Sequence, residues 1–377
     1  MKKILYINSV CGCGSTGKIV VEQARAEIAK GNQCIIAYGR KKINCDDIPT
    51  IKIGRRVDYL LHGLLSRITD RHGFYSIFAT MSFLNKVKRY DPDIICIHNI
   101  HGYYINIKLL FKYIKKYNKK VRWTLHDCWS FTGHCAYFDY VNCNKWKTIC
   151  DLCPQKNKYP KSLFFDSSKK NYIVKRALFT GIHKMEIITP SKWLAELVKE
   201  SFLKEYPIEV IYNTVDRNIF QPRKSDFRYK YGVENNYIIL GVANIWDDRK
   251  GLDDFIELRK KLSDKYTIVI VGVSKKQLQM LPKGIIGIQR TSNAVELAEI
   301  YSTADIFVNP TYEDNYPTVN IEAQACGTPV ITYDTGGSGE SALNYGKVCK
   351  KGDIEELKEI ILQTLNRNEK ETVGEEI

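Results

Sequence analysis

The 37 residues from Ala304 to Glu340, ADIFVNPTYEDNYPTVNIEAQACGTPVITYDTGGSGE, constrain the fold more than any other stretch. Ile306 to Val308 reads as a short apolar strand, and Asn309 to Asn315 as the polar loop that follows it. Pro317 stands where a helix would begin, a position where its missing N–H is no loss. Asn320 to Ala325 reads as the helix, which Gly327 ends with Pro329 two residues on. Val330 to Thr332 is a second buried strand, and Thr335-Gly336-Gly337 a turn. A strand, a loop, a helix N-terminus and another strand form an anion site at the strand C-terminal edge of an open α/β sheet.

Two acids frame that site: Asp314 at the loop end and Glu322 eight positions later in the helix. A carboxylate repels a bound phosphate, so its natural task here is to accept hydroxyls. Hydroxyls beside a diphosphate describe a nucleotide sugar. The plainer alternative is a surface loop leading into a capped helix.

The segment resembles the donor-site motif of retaining GT-B glycosyltransferases of family 4, in which two glutamates separated by seven residues precede A-x-A-x-G-x-P-V. Here Asp314 replaces the first glutamate, and Glu322-Ala323-Gln324-Ala325-Cys326-Gly327-Thr328-Pro329-Val330 supplies the rest. Glu313 is adjacent, so either acid can take the first role. Asn315-Tyr316-Pro317 stands where the family has a glycine-containing loop, and Pro317 has no N–H to donate. The resemblance implies α/β architecture of the GT-B kind: two facing Rossmann-like domains with an interdomain active-site cleft.

A chain of 377 residues is long enough for two domains with ample core. Charge marks a boundary independently. Residues 1–210 carry 36 Lys+Arg against 17 Asp+Glu, and the remainder 21 against 25. We therefore expect an N-terminal acceptor-binding domain over 1–209 and a C-terminal nucleotide-sugar domain over 210–377. The link Val210-Ile211-Tyr212-Asn213-Thr214-Val215-Asp216, with Phe220 and Pro222, resembles the family's N-G-V-D…F-x-P, Thr214 replacing the glycine. The basic half suits an anionic membrane surface. Nucleic acid is the rival, since Phe111 to Lys120 (FKYIKKYNKK) interleaves aromatics with lysines. The apolar residues there recur at helical spacing, as they do over Phe83 to Tyr90, so both stretches read as amphipathic helices and no nucleic acid is expected. Ile43 to Thr80 is less regular and strongly basic through Arg55, Arg56, Arg67, Arg71 and His72. No run reaches 18 apolar residues, and MKKILYINSVCGCG leads straight into a strand. Together these point to a cytoplasmic protein, peripheral on the membrane at most.

The first domain opens with a strand from Lys3 to Ile7, a loop, and a helix from Lys18 to Lys30. The loop, Gly12-Cys13-Gly14-Ser15-Thr16-Gly17-Lys18, meets the glycine and lysine spacing of a P-loop. Ile19 stands where the Mg²⁺-holding hydroxyl belongs, which argues against an ATPase. Gly12, Gly14 and Gly17 also fit a dinucleotide fingerprint, but Tyr38-Gly39-Arg40 ends the second strand where an acid is needed. In the glycosyltransferase reading Gly14, Ser15 and Gly17 let the backbone approach the donor phosphates or the acceptor.

Two further strands, Asp93 to Ile97 and Val121 to Leu125, end in His98-Asn99-Ile100-His101 and His126-Asp127. Polar clusters at strand C-termini are what a cleft needs, although a single histidine is more often structural. By resemblance, His126 matches the family position that contacts the donor sugar, and His98, Asn99, His101 and Asp127 then line the acceptor side. His126 to Cys135, H-D-x-W-x-x-T-G-H-C, resembles a subgroup of bacterial capsular and exopolysaccharide transferases of the colanic-acid type. That subgroup carries a small insertion, here about 134–153. Cys135, Cys143, Cys150 and Cys153 fall within it, with His134 as an alternative ligand. Four soft ligands suit a tetrahedral structural Zn²⁺. The alternative is free thiols, the default for twelve cysteines without secretory context.

The second domain opens with a strand from Tyr237 to Val242, then Asp247-Asp248-Arg249-Lys250-Gly251 before a helix. Two cations at a helix entry can clamp a leaving diphosphate in place of a metal. The family uses a basic pair in this loop; the alternative is an ordinary exposed pair. Arg290 to Asn293 would lie near the nucleotide base. The resemblance assigns Arg249, Lys250 and the helix N-terminus at Thr318 and Val319 to the diphosphate and Glu322 to the ribose. It assigns Asp314 or Glu313 to the sugar, with Asn315 and Tyr316 beside it and His126 at the hydroxymethyl end. No cofactor is required for transfer. The implied partners are a nucleoside-diphosphate sugar and a glycan acceptor, commonly polyprenyl-diphosphate-linked in this subgroup. Asp353 to Leu365 reads as an amphipathic helix, and the acidic end NRNEKETVGEEI as a shortened terminus.

Overall fold

Short runs of Ile, Val, Leu and Tyr bounded by polar loops become strands buried on both faces, as parallel sheets demand. The computed structural model describes residues 1–342 and 346–375, with side chains to residue 366. The chain divides into two units, Met1–Tyr212 and Asn213–Ile377.

In the first unit the order is β1 (Lys3–Asn8), α1 (Gly14–Ala29), β2 (Gln33–Tyr38), β3 (Thr50–Lys52), α2 (Arg56–Thr69) and α3 (Ile77–Tyr90). Then come β4 (Ile94–Ile97), α4 (Ile107–Tyr117), β5 (Lys120–Thr124), α5 (Ser168–Phe179), β6 (Met185–Thr189), α6 (Lys192–Glu200) and β7 (Ile208–Val210). All seven strands are parallel, in the order β3-β2-β1-β4-β5-β6-β7. Alternation along β1 sends Ile4 and Tyr6 to the α1 side and Leu5 and Ile7 to the side of α3 and α4. Both stretches read as amphipathic helices are helices: Phe83, Leu84 and Val87 are buried on α3, and Leu110, Phe111 and Ile114 on α4. The Ser191 hydroxyl caps α6 by accepting the Leu194 N–H at 3.1 Å.

The second unit runs α7 (Phe227–Tyr231), β8 (Tyr237–Val242), α8 (Leu252–Lys260), β9 (Tyr266–Val271), α9 (Lys275–Met280), β10 (Ile285–Ile288) and α10 (Ala294–Thr303). It continues with β11 (Ile306–Asn309), α11 (Thr318–Ala325), β12 (Val330–Tyr333), α12 (Ser338–Ser341), β13 (Gly346–Cys349) and α13 (Ile354–Glu375). Its six parallel strands are ordered β10-β9-β8-β11-β12-β13. Ile238, Leu240 and Val242 pack on one face and Ile239 on the other, so each sheet sits between two helical layers. The described part of α13 reaches ten residues beyond the amphipathic stretch read from sequence, and the last two residues of the acidic end lie outside the described residues.

Two local readings are corrected. Helix α1 begins at Gly14, four residues before Lys18. The preceding loop is zipped onto the segment after β2: Cys11 N–H donates to Lys41 O at 2.9 Å and Ile43 N–H to Cys11 O at 3.0 Å. Gly12 N–H closes back on Gly17 O at 3.0 Å. The amides of Cys11 and Gly12 are thus used internally, whereas Gly14, Ser15 and Gly17 belong to the first turn of α1. The irregular stretch before Thr80 also contains a regular helix, α2.

Candidate active site

Each sheet reverses its strand order once, at β1/β4 in the first unit and β8/β11 in the second. Loops leaving adjacent strands in opposite directions open a crevice at that point, where α/β sheets take their ligands. In the second unit the loop after β8 carries Arg249 and Lys250, and the loop after β11 carries Glu313 and Asp314. The topology therefore brings together residues 64 positions apart.

The Lys250 ammonium donates to Asp314 Oδ2. Arg249 Nη1 donates to the Glu313 carbonyl at 2.6 Å and lies 3.7 Å from Asp314 Oδ2. Burial opposes charge on Asp314, but Lys250 and Arg249 outweigh it and hold the carboxyl below its ordinary range. Burial, reinforced by Arg249, lowers Lys250 against the pull of Asp314. Asp314 thus faces the basic pair; Glu313 is fully buried, and its carbonyl accepts from Arg249.

Two glycines permit this approach. Gly251 has φ +74°, and a Cβ there would fall 2.2 Å from Pro310 O. Gly336, in the turn after β12, has φ +55°, and a Cβ would fall 2.1 Å from Asp314 O. Gly337 N–H donates to that same carbonyl at 3.0 Å. The loop passes through Asn315, whose N–H donates to Asp314 Oδ1 at 2.8 Å, and through Tyr316, whose carbonyl accepts from Asn213 Nδ2 at 3.2 Å.

Helix α11 starts at Thr318, two residues before the stretch read as helical. Pro317 is its cap residue, and no side chain caps it. Val319 follows in the first turn, and neither residue brings an acid there. Buried amides brace the start: Asn309 Nδ2 donates to Asn320 Oδ1, and Asn320 Nδ2 to Ser341 Oγ, both at 2.8 Å. Glu322 accepts from the Tyr301 hydroxyl at 3.1 Å. Arg290 is not brought into this group; it lies exposed after β10, an edge strand two places from the switch point.

In the first unit the strand-end clusters converge. His98 Nδ1 and His126 Nε2 lie 3.0 Å apart with stacked rings. His101 Nε2 meets Asp127 Oδ2 at 2.8 Å and its Nδ1 meets the Tyr159 hydroxyl at 2.9 Å. Asn99 Oδ1 accepts the His101 N–H at 3.1 Å. His98, Asn99, His101, His126 and Asp127 line one small pocket with Trp129 and Ser130. Asn8, at the end of β1, ties the cluster to α1: its Oδ1 accepts from Asn99 N–H at 3.1 Å and its Nδ2 lies 3.4 Å from Thr16 Oγ1. Of the glycine-loop candidates, Gly14 and Ser15 are exposed in the first turn of α1. Gly17 is buried, where a Cβ would crowd Val10 and the Gly12 amide.

Reading the sequence missed four participants here. Asn8, His72, Tyr159 and Lys175 carry no motif, though Asn8 is a polar residue ending a strand beside the switch point. His72 Nε2 accepts from Gly102 N–H at 3.1 Å and packs against His101 and Trp129. Lys175, buried and lowered to about 7 by desolvation, donates to the carbonyls of Trp129 and Thr132. It thereby pins the loop that carries His126 and Asp127.

Burial keeps four histidines neutral. It lowers His62 to about 3 and His126 to about 4, the latter against Asp127 and with help from His101; His72 and His98 fall well below the usual value. In the unfolded chain each titrates near 6.5. Below that pH the unfolded state binds protons that the folded state refuses, so stability is fully present above about pH 6.5 and is lost as pH falls toward 4. Each group contributes about 1.4 kcal/mol per pH unit in that window. Thermal melts should show the melting temperature level above about pH 6.5 and falling from there to about pH 5. A flat profile would mean these rings are not held neutral.

The four cysteines of the insertion line a single pocket. Cys135 and Cys153 hydrogen-bond each other, which raises the first thiol and lowers the second to about 7. Cys150 Sγ accepts the Gly133 N–H at 3.2 Å, and His134 turns its Nδ1 to Asp70. Among the described residues no three His, Cys, Asp or Glu side chains converge closely enough to hold a metal ion.

Among the described residues no helix is long and apolar enough to cross a membrane. Residues 17–218 match the model of Glycosyltransferase Family 4, and residues 223–375 that of Glycosyl transferases group 1. The chain is 25% identical over 345 residues to WcaC of Escherichia coli (strain K12), named for colanic acid biosynthesis, covering 87% of this chain and 82% of that one. It is 26% identical over 226 residues to N,N'-diacetylbacillosaminyl-diphospho-undecaprenol alpha-1,3-N-acetylgalactosaminyltransferase of Campylobacter jejuni, covering 54% and 59%. Anabaena Alr3699/HepE, solved in complex with UDP, superposes with a TM-score of 0.66 at 16% identity, covering 98% and 91%.

Proposed function

The chain belongs to Glycosyltransferase Family 4 and is a glycosyltransferase of the GT-B fold, and from that premise we propose that it transfers a sugar from a nucleoside diphosphate to a hydroxyl of a lipid-linked glycan, with retention, in the synthesis of a bacterial surface polysaccharide. One observation carries the donor half: Arg249, Lys250 and Asp314 meet at the β8/β11 switch point, with the start of α11, which no side chain caps, four residues on and Glu322 one turn further. The names of the Escherichia and Campylobacter relatives support the polysaccharide and lipid-linked acceptor.

In this reading the anomeric carbon–oxygen bond breaks and the diphosphate leaves with the electron pair. Lys250, Arg249 and the N–H groups of Thr318 and Val319 stabilise that charge as it develops. The acceptor oxygen bonds to the same face of the sugar and its proton passes to the departing phosphate oxygen. Glu322 holds the ribose hydroxyls, and Asp314 contacts the sugar while keeping Lys250 aimed. His126 is assigned the hydroxymethyl end of the sugar, and His98, Asn99, His101 and Asp127 the acceptor.

A thermal-shift panel without added metal tests the reading: UDP, GDP, ADP, their sugars, ATP with Mg²⁺, NAD and a short DNA. A ligand that binds only the folded state at a hundred times its Kd should raise the melting temperature by roughly 5 °C or more. One nucleoside diphosphate and its sugars should do so. A shift from ATP or DNA alone would overturn the donor assignment.

A further inference from the structure

Asp254 is a buried carboxylate that the transfer chemistry does not use. It stands in the first turn of α8, four residues after Lys250, and is 8% exposed. Its two oxygens take one phenol each. The Tyr312 hydroxyl donates to Oδ1 at 3.2 Å, and the Tyr333 hydroxyl to Oδ2 at 2.6 Å. The two rings meet edge to face, with centroids 5.7 Å apart. Burial raises the carboxyl above its ordinary range, against the pull of both phenols.

The three residues come from the three segments that build the donor site. Arg249 and Lys250 lead into α8, Tyr312 lies two residues before Asp314 in the loop after β11, and Tyr333 ends β12, three residues before Gly336. The same segments are also joined nearer the site. Tyr312 N–H donates to Arg249 O at 2.8 Å, Thr335 Oγ1 to Thr311 O at 2.9 Å, and Gly337 N–H to Asp314 O at 3.0 Å. A single side chain, Asp254, reaches the other two segments at once. An apolar trio of the same shape would fill this space without desolvating a carboxylate, often with no loss of stability. It would lack direction: the hydrogen bonds hold two phenols, and with them two loops, at fixed distances from one carboxylate.

Charge stabilisation at a leaving diphosphate needs that accuracy, since misplacing a group by about 1 Å can cost roughly 100-fold in rate. We propose that Asp254 is a positioning residue for transfer: through Tyr312 and Tyr333 it fixes the loops after β11 and β12 against the start of α8, and so aims Lys250 at the leaving diphosphate. The proposal rests on the donor reading above and names a residue that touches no substrate. Glu322 is oriented by Tyr301, outside this network, so nucleotide binding should largely survive the loss of Asp254 while turnover does not.

Steady-state kinetics and calorimetry with the nucleoside diphosphate of the donor test it. Asp254→Leu should lower kcat about 100-fold. The dissociation constant of the nucleoside diphosphate and the donor KM should stay within about threefold of wild type. Asp254→Asn keeps the shape and one acceptor oxygen, and should recover kcat to within about tenfold of wild type. Tyr312→Phe/Tyr333→Phe keeps both rings in place and should reproduce the loss, which preserves the test if Asp254→Leu fails to fold. In the Lys250→Ala background Asp254→Leu should lower kcat by no more than about threefold further, because it acts through Lys250. A further loss of about 100-fold in that background would overturn the proposal. So would wild-type kcat in the phenylalanine pair, or a fall in nucleotide affinity that matches the fall in kcat, either of which leaves Asp254 a structural brace only. A wild-type chain that neither binds nor turns over any nucleotide sugar would instead overturn the transferase reading, and this proposal with it.

Discussion

Lys250→Ala is expected to lower kcat by about 10²–10³-fold, the usual result of removing one preorganised group that stabilises developing charge. An ammonium has three N–H donors, and Asp314 engages one. Arg249 is the weaker candidate for the main effect, because its guanidinium already spans the Glu313 carbonyl and Asp314. Steady-state kinetics with the donor identified by the nucleotide panel would measure the loss. Deleting Lys250 also strips Asp314 of its principal partner, and an orphaned buried carboxylate harms a protein by itself. The double variant Lys250→Ala/Asp314→Asn separates the two effects. If the ammonium acts on the diphosphate, neutralising Asp314 will not restore turnover. Recovery to within about threefold of wild type would show that Lys250 serves only to balance Asp314. Lys250→Arg should rescue poorly, since a planar fork does not replace a point charge on a flexible stem.

Glu322→Ala should weaken donor nucleotide binding about 10–100-fold, the range for losing a hydrogen bond to a charged group in a partly closed site. The carboxylate projects from the second turn of α11 and is oriented by the Tyr301 hydroxyl at 3.1 Å. Its loss should appear in the dissociation constant of the nucleoside diphosphate, measured by calorimetry, more than in kcat. Glu322→Gln keeps the hydrogen-bonding shape without the charge and should fall between. Tyr301→Phe should cost only part of the effect, because Tyr301 positions the acid and does not itself touch ribose in this reading. Unchanged affinity in Glu322→Ala would remove the ribose contact.

Local chemistry made much of the second unit legible. Gly327 and Pro329 after α11, the strand pair β11 and β12, and the spacing from Asp314 to Glu322 all lie within one window, where period and turn residues speak directly. The glycine-rich loop before α1 was harder. Its composition allows a cradle, but the tie of its first residue, Cys11, to Lys41 and Ile43 joins positions about 30 apart. The choice between Asp314 and Glu313 was likewise open in the sequence, since adjacent acids differ only in which way the folded loop turns them. Helix α2 escaped notice because its pattern is inverted: it buries His62 and Ser66 and turns Leu60, Leu61 and Leu64 to solvent, so the rule that apolar residues mark the inward face fails there.

By itself, then, the sequence determined two α/β units, their strand and helix segments, and the chemistry stationed at the strand ends. Those are consequences of periodicity and turn propensity, which act over a few residues. Tertiary structure alone decided which strand ends are neighbours. The reversal at β8/β11 sets Lys250 on Asp314, and Gly251 and Gly336 allow it because any Cβ there would strike a carbonyl. The same is true of His98 on His126 and of the outward leucines of α2. Pairings across dozens of residues depend on how sheets close and what they bury, and no local pattern records that.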